Sequence, residues 1–194
     1  QLAFPNSPDS PLDAVQRVRH DNEKTQAVIS LGFLGATLTD PRGFALEVIQ
    51  EAANDMGSRL FRRVREERGL AYYVGCENVL GVWPGRFDFY AGAEPEALEE
   101  VESEFLLEVQ RLRDEGLSEV ELTRAKAKIR GRKLMGKQDL GSEALVDALN
   151  ELYGLRFQYG DRELEAIERV DRAATQEAAR AFLDPERFVV SVVG

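Results

Sequence analysis

Around Gly69 the chain changes its hydrophobic period, and that switch restricts the fold more than any other feature. Leu60, Phe61 and Val64 recur at helical spacing behind Gly57 and Ser58, Gly69 stops the run, and residues 70–80 continue with strand composition. Gly81, Pro84 and Gly85 then precede a second strand over residues 86–93, where Phe87, Phe89 and Ala91 alternate with Asp88 and Tyr90. A strand pair that is apolar on one face must cover that face with another layer. Residues 58–93 therefore predict a hairpin packed against helices.

The flanking segments extend the same pattern. Residues 26–33 mix β-branched and apolar side chains over the length of a buried strand. Asp40-Pro41 predicts a helix start, with aspartate as N-cap and proline where its missing N–H is harmless, and Phe44, Val48, Ile49, Ala52 and Met56 on the core side. Pro95 opens a long helix carrying Leu98, Val101, Phe105, Leu106, Val109 and Leu112, and Gly116 closes it. Ser118 and Glu121 form a capping-box pattern ahead of a helix to about Met135. Helices over 142–153, 161–170 and 171–183 and a strand over 188–193 complete the chain. This order predicts an α+β fold, a largely antiparallel sheet with helices packed on one face.

Pro5, Pro8 and Pro11, set among Asn6, Ser7, Asp9 and Ser10, make residues 1–19 a lead-in or interdomain linker, as expected of a domain excised from something longer. Residues 20–194 then form a single domain, within reach of one core at 43% hydrophobic composition. Gln1 to Pro11 carries no basic, apolar leader, so any signal peptide or initiator lies outside this fragment. A bacterial cytoplasm and a periplasm fit the sequence equally. No apolar run approaches the roughly 20 residues of a membrane span. Thirty-five acids against 25 bases give a net charge of −10, which argues against a nucleic-acid surface.

The chemistry the sequence can supply is narrow. A zinc peptidase site needs two histidines one helical turn apart plus a carboxylate, and this chain has one histidine, His20. His20-Asp21-Asn22-Glu23-Lys24 echoes an inverted H-x-x-E-H motif, but its second histidine position holds lysine, a charged donor without a free lone pair. His20 reads instead as a loop residue before a strand. Cys76, the sole cysteine, has no basic neighbour to favour a thiolate, and Val74 and Val79 suit a buried thiol. No G-x-S-x-G turn or glycine-rich phosphate loop occurs. Autonomous hydrolysis has no catalytic set here.

Arg65 and Tyr72 are different. They stand seven residues apart across the helix stop, where a guanidinium fork and a phenol can converge on one peptide carbonyl. The same two residues also fit a surface arginine paired with Glu66 or Glu67 and a half-buried strand tyrosine.

The phrase over residues 58–74 resembles the C-terminal, non-zinc half of the pitrilysin/insulinase family of zinc metallopeptidases, especially its processing-peptidase-like members. Lys24-Thr25-Gln26, Gly116-Leu117-Ser118, Glu121-Leu122, Ala125-Lys126 and the closing Val192-Val193-Gly194 follow in family order. The resemblance implies a metallohydrolase-like half-clamshell domain that lacks zinc ligands and closes over a peptide together with a zinc-binding half, in the same longer chain or a separate subunit. Zinc would sit in that partner half only. Arg65 would hold the substrate backbone near the scissile bond, and Tyr72 would help stabilise the oxyanion. One departure is Tyr73, where the family commonly has a small polar residue; a one-residue shift of register would exchange the two phenols between faces. The function implied is the substrate-clamping half of a zinc metalloendopeptidase acting on peptides or unfolded segments. The alternative is a non-proteolytic assembly subunit of the same fold.

Overall fold

The computed structural model describes residues 12–22 and 25–194. Pro5, Pro8, Pro11, Glu23 and Lys24 lie outside the described residues, and with them most of the expected lead-in. Five strands, β1 (Gln16–His20), β2 (Ala27–Leu34), β3 (Ala71–Val79), β4 (Arg86–Ala93) and β5 (Val189–Val193), form one sheet in the order β1-β5-β2-β4-β3. Only β1 and β5 run parallel; the other pairings are antiparallel.

The core follows from strand alternation. Ile29, Leu31 and Phe33 of β2 stand opposite Ala91, Phe89 and Phe87 of β4, and all six are at most 2% exposed. Against this face lie α1 (Gly43–Ala53) through Leu46, Val48 and Ile49, and α3 (Leu98–Glu115) through Val101, Phe105 and Val109. Phe105 and Phe89 bring their ring centroids to 5.6 Å, joining helix to sheet. Helices α4 (Glu119–Gly136), α6 (Tyr159–Arg169) and α7 (Arg172–Phe182) add Ile129, Ile167 and Ala179 to the same core. The other sheet face, with Val28, Tyr73, Tyr90 and Val193, stays open to solvent. The fold is therefore the α+β arrangement that the pattern predicts.

The local signals at Ser118 and Gly116 were accurate. The capping box forms as read: Ser118 Oγ accepts from the Glu121 N–H, and the Glu121 carboxylate accepts from the Ser118 N–H at 2.8 Å. Gly116 ends α3 at φ 67°, and a side chain there would meet the Arg172 carbonyl at 2.6 Å.

Three expectations differ from the structure. Residues 16–19, assigned to the lead-in, form most of β1, and His20 is the last residue of that strand rather than a loop residue. Every residue of β1 is exposed, so no apolar alternation marks it; its partner β5 defines it. Met56 is 75% exposed because α1 ends at Ala53 and the helical spacing no longer applies beyond it. Asp40 accepts a hydrogen bond from the Arg42 N–H at 2.9 Å, closing a turn ahead of α1 instead of capping a helix at Pro41.

Strand β3 is a sheet edge, and α1 closes part of it. The Asn54 side chain donates to the Cys76 carbonyl and accepts from the Cys76 N–H, both at 2.8 Å, and Gln50 accepts from the Asn78 N–H at 2.8 Å. A side-chain amide thus takes the place of a sixth strand and blunts edge-to-edge pairing. Asn54→Ala is expected to lower unfolding free energy by about 1–3 kcal/mol, since it strands a part-buried donor and acceptor. A denaturant midpoint equal to wild type would show that the edge groups are already satisfied by water.

Candidate functional site

Arg65 belongs to a helix of unusual pitch. Ser58 starts α2 (Arg59–Phe61) by accepting from the Phe61 N–H at 3.0 Å, and the helix widens at once into the π-helical segment α2′ (Arg62–Glu67). The Arg68 N–H bonds to the Arg63 carbonyl five residues back, at 3.2 Å, and the Leu70 N–H to the Val64 carbonyl at 2.8 Å. Gly69, at φ 60°, then turns the chain into β3.

The wide turn has an electrostatic consequence. In an α-helix, residues five apart face different directions, whereas a π-turn brings them close to the same side. Arg63 and Arg68 accordingly converge on Glu104 of α3: Arg63 donates to it at 2.7 and 3.0 Å and Arg68 at 2.7 Å. Glu104 is only 6% exposed, and the Arg63 hydrogen bonds, helped by Arg68, hold its carboxyl below the usual glutamate range. One turn on, Glu108 accepts from Arg59 at 2.9 Å, but burial outweighs the arginine and pushes this carboxyl up. These ion pairs clamp the widened helix to α3 and leave Arg65 pointing away from them. Its guanidinium lies 5.2 Å from the Phe61 ring centroid, in solvent, with no ion pair to Glu66 or Glu67.

Tyr72 is the extra residue of a β-bulge. Ala71 pairs with Ala93 and Tyr73 with Gly92, so the two steps of β3 match one of β4. The bulge breaks strict alternation and leaves both phenols exposed, Tyr72 at 48% and Tyr73 at 44%. They are not equivalent. The Tyr73 ring lies across Gly92, so closely that a side chain there would meet it at 2.3 Å, and it neighbours Tyr90 with centroids 6.3 Å apart. Tyr72 instead donates its O–H to Glu94 at 3.0 Å, and that carboxylate holds the phenol pKa above its ordinary value. Arg65 and Tyr72 thus flank one turn, with no hydrogen bond between them.

Sequence reasoning missed Glu94, Glu104 and Asn54. Glu104 carried a usable signal: an acid between Val101 and Phe105, on the apolar stripe of an amphipathic helix, implies a buried cationic partner. Glu94 and Asn54 had none, because each acts on a residue 22 positions away.

Cys76 is 1% exposed and burial raises its thiol pKa well above the ordinary range, so it packs rather than reacts. Among the described residues, no group of three or more His, Cys, Asp or Glu side chains could hold a metal ion, and no helix is long and apolar enough to cross a membrane. Among the described residues, His20, on the exposed edge strand β1, has no set of metal-ligating side chains around it.

Comparison with known proteins identifies the family. The model of the peptidase M16 inactive domain matches residues 2–129. The chain belongs to the peptidase M16 inactive-domain family. An uncharacterized zinc protease of Streptomyces coelicolor is 36% identical over 131 residues, 66% of this chain and 28% of that protein. Another from Bacillus subtilis is 27% identical over 187 residues, 91% of this chain and 46% of that protein. The fold of this M16 inactive domain also matches a protease from Helicobacter pylori with a TM-score of 0.87 at 14% identity, covering 100% of this chain and 48% of that one. The chain spans less than half the length of these relatives.

Proposed function

We propose that this M16 inactive domain is the substrate-positioning half of a zinc endopeptidase that acts on extended peptides or unfolded segments. The zinc belongs to a companion half, in the same polypeptide or a paired subunit, and supplies the electrophilic chemistry when bound. This chain's own contribution is hydrogen bonding. Arg65 offers up to five N–H donors to the backbone of a peptide lying across the helix–strand turn. Tyr72 has one O–H, held by Glu94 in the free chain, and turns it from Glu94 to the carbonyl oxygen that gains charge when a peptide binds.

The observation that carries this reading is the presentation of the two side chains. A π-turn held by a buried glutamate and a bulge at the first turn of a strand are both costly departures from regular geometry. They leave a cation and a phenol exposed on either side of one loop.

The test is reconstitution. The chain alone should show no hydrolysis of a fluorogenic unfolded substrate, and mixing it with the zinc-carrying half of its parent protein should restore it. Arg65→Ala should then lower kcat/KM on the order of 100-fold, the effect of misplacing a substrate by about an ångström. Full activity in that variant would remove Arg65 from the site. Assembly without any cleavage would favour the alternative reading, a non-proteolytic assembly subunit of the same fold.

A further inference from the structure

Helix α5 (Leu140–Leu152) starts from an Asp139 cap, whose carboxylate accepts from the Gly141 N–H at 3.0 Å, yet buries none of its residues. An isolated helix of this length is marginal in water and normally owes its stability to an apolar face covered by something else. That face exists here. Leu145, Leu149 and Leu152 recur at i, i+4 and i+7, and Tyr153, the helix C-cap four residues after Leu149, extends the stripe. Each of the four is at least 39% exposed. Beside it, a cavity of about 400 Å³ opens between the C-terminal end of α4, α5 and the start of α6, with Val146 and Phe157 on its apolar side and Lys133, Lys137 and Asp161 on its polar side. Neither feature touches the Arg65–Tyr72 turn.

We propose that the α5 stripe and the adjoining cavity are the docking surface for the companion half, which covers the stripe with an apolar face of its own and sets a side chain in the cavity. This rests on the reading of the chain as one half of a longer protease. The curated relatives are long enough to contain such an occupant, since the chain accounts for only 46% of the Bacillus protein and 28% of the Streptomyces one. Covalent linkage would hold that occupant at high effective concentration. A second copy of this chain fits less well, because each copy carries a net charge of −10. The docking surface is thus separate from the turn assigned to substrate, and the two halves meet along a helix ridge.

The experiment measures association of the 194-residue chain with the separately produced zinc-carrying half by calorimetry and sedimentation. Leu145→Glu with Leu149→Glu should weaken it at least 100-fold, the scale of losing central apolar anchors. The circular dichroism spectrum and melting temperature of the chain should stay unchanged, because neither side chain enters the core. Unaltered affinity in the double variant, no association of the wild-type chain, or a wild-type homodimer that the double variant dissolves while companion binding persists would each overturn the proposal. Arg65→Ala, by contrast, should leave association intact and lower only turnover, so failure of the docking surface and failure of the substrate role are separable.

Discussion

Replacing Tyr72 by Phe in the assembled protease is expected to lower turnover about 100- to 1000-fold, with little change in substrate affinity. In the proposed role the phenol is a single donor, and its value lies in the charge that develops on the attacked carbonyl, not in the uncharged ground state. The variant keeps the ring but gives up the hydrogen bond to Glu94, so an unchanged melting temperature is needed to separate a lost donor from a disturbed turn. Glu94 supplies the accompanying pH test. Its carboxylate accepts the phenol's hydrogen bond and raises the Tyr72 pKa, which keeps the donor protonated beyond the ordinary tyrosine range. Glu94→Gln removes that anion. The phenol should then ionise at lower pH and the alkaline limb of the activity profile should move down. A kcat for Tyr72→Phe within a few-fold of wild type, or an alkaline limb unmoved by Glu94→Gln, would mean that Tyr72 donates to nothing that matters. Tyr73→Phe should be nearly silent, since that ring packs on Gly92 and Tyr90.

Glu104→Gln is expected to destabilise the domain by about 2–3 kcal/mol and to lower turnover as well. The carboxylate accepts three hydrogen bonds from two arginines while 6% exposed, and an amide offers one acceptor where two cations converge. Arg63 and Arg68 are themselves 30% and 41% exposed and can rehydrate, which keeps the effect below that of a fully buried pair. The sign of the pH dependence is definite. The folded-state pKa of Glu104 is depressed, so its stabilisation is present above the unfolded glutamate value and is lost as pH falls through the folded one. The gap in denaturant midpoint between wild type and Glu104→Gln should therefore be full at neutral pH and close in acid, below the ordinary glutamate range. A gap that stayed constant with pH would point to packing rather than charge. Loss of turnover accompanies it because the same ion pairs hold the π-turn that presents Arg65.

How far the sequence speaks for itself can be seen element by element. Strand β4 has the bounds its alternation predicts, and the Ser118–Glu121 cap forms as read. In both cases the signal and its effect lie within a few residues. β1 carried no signal because an exposed edge strand needs no apolar face, and it becomes a strand only when β5 offers it a ladder. The site divides in the same way. Arg65 and Tyr72 were legible as residue types at a spacing, but on spacing alone a surface ion pair and a half-buried tyrosine were the stronger reading, and the family resemblance singled the pair out. The ion pair to Glu66 or Glu67 does not form, whereas Tyr72, 48% exposed, is the half-buried strand tyrosine of that reading.

The sequence by itself determined the α+β class, the helix–glycine–strand junction and the pair of donors around it, because hydrophobic period and capping chemistry are local. It also showed that a chain with one imidazole lacks the two histidines of an inverted H-x-x-E-H motif. Only the tertiary structure decided which phenol stands beside Glu94, how a widened helix is held, and where α5 leaves its apolar stripe uncovered. A bulge, a π-turn and a buried carboxylate each depend on a partner far along the chain, and no window of neighbouring residues contains that information.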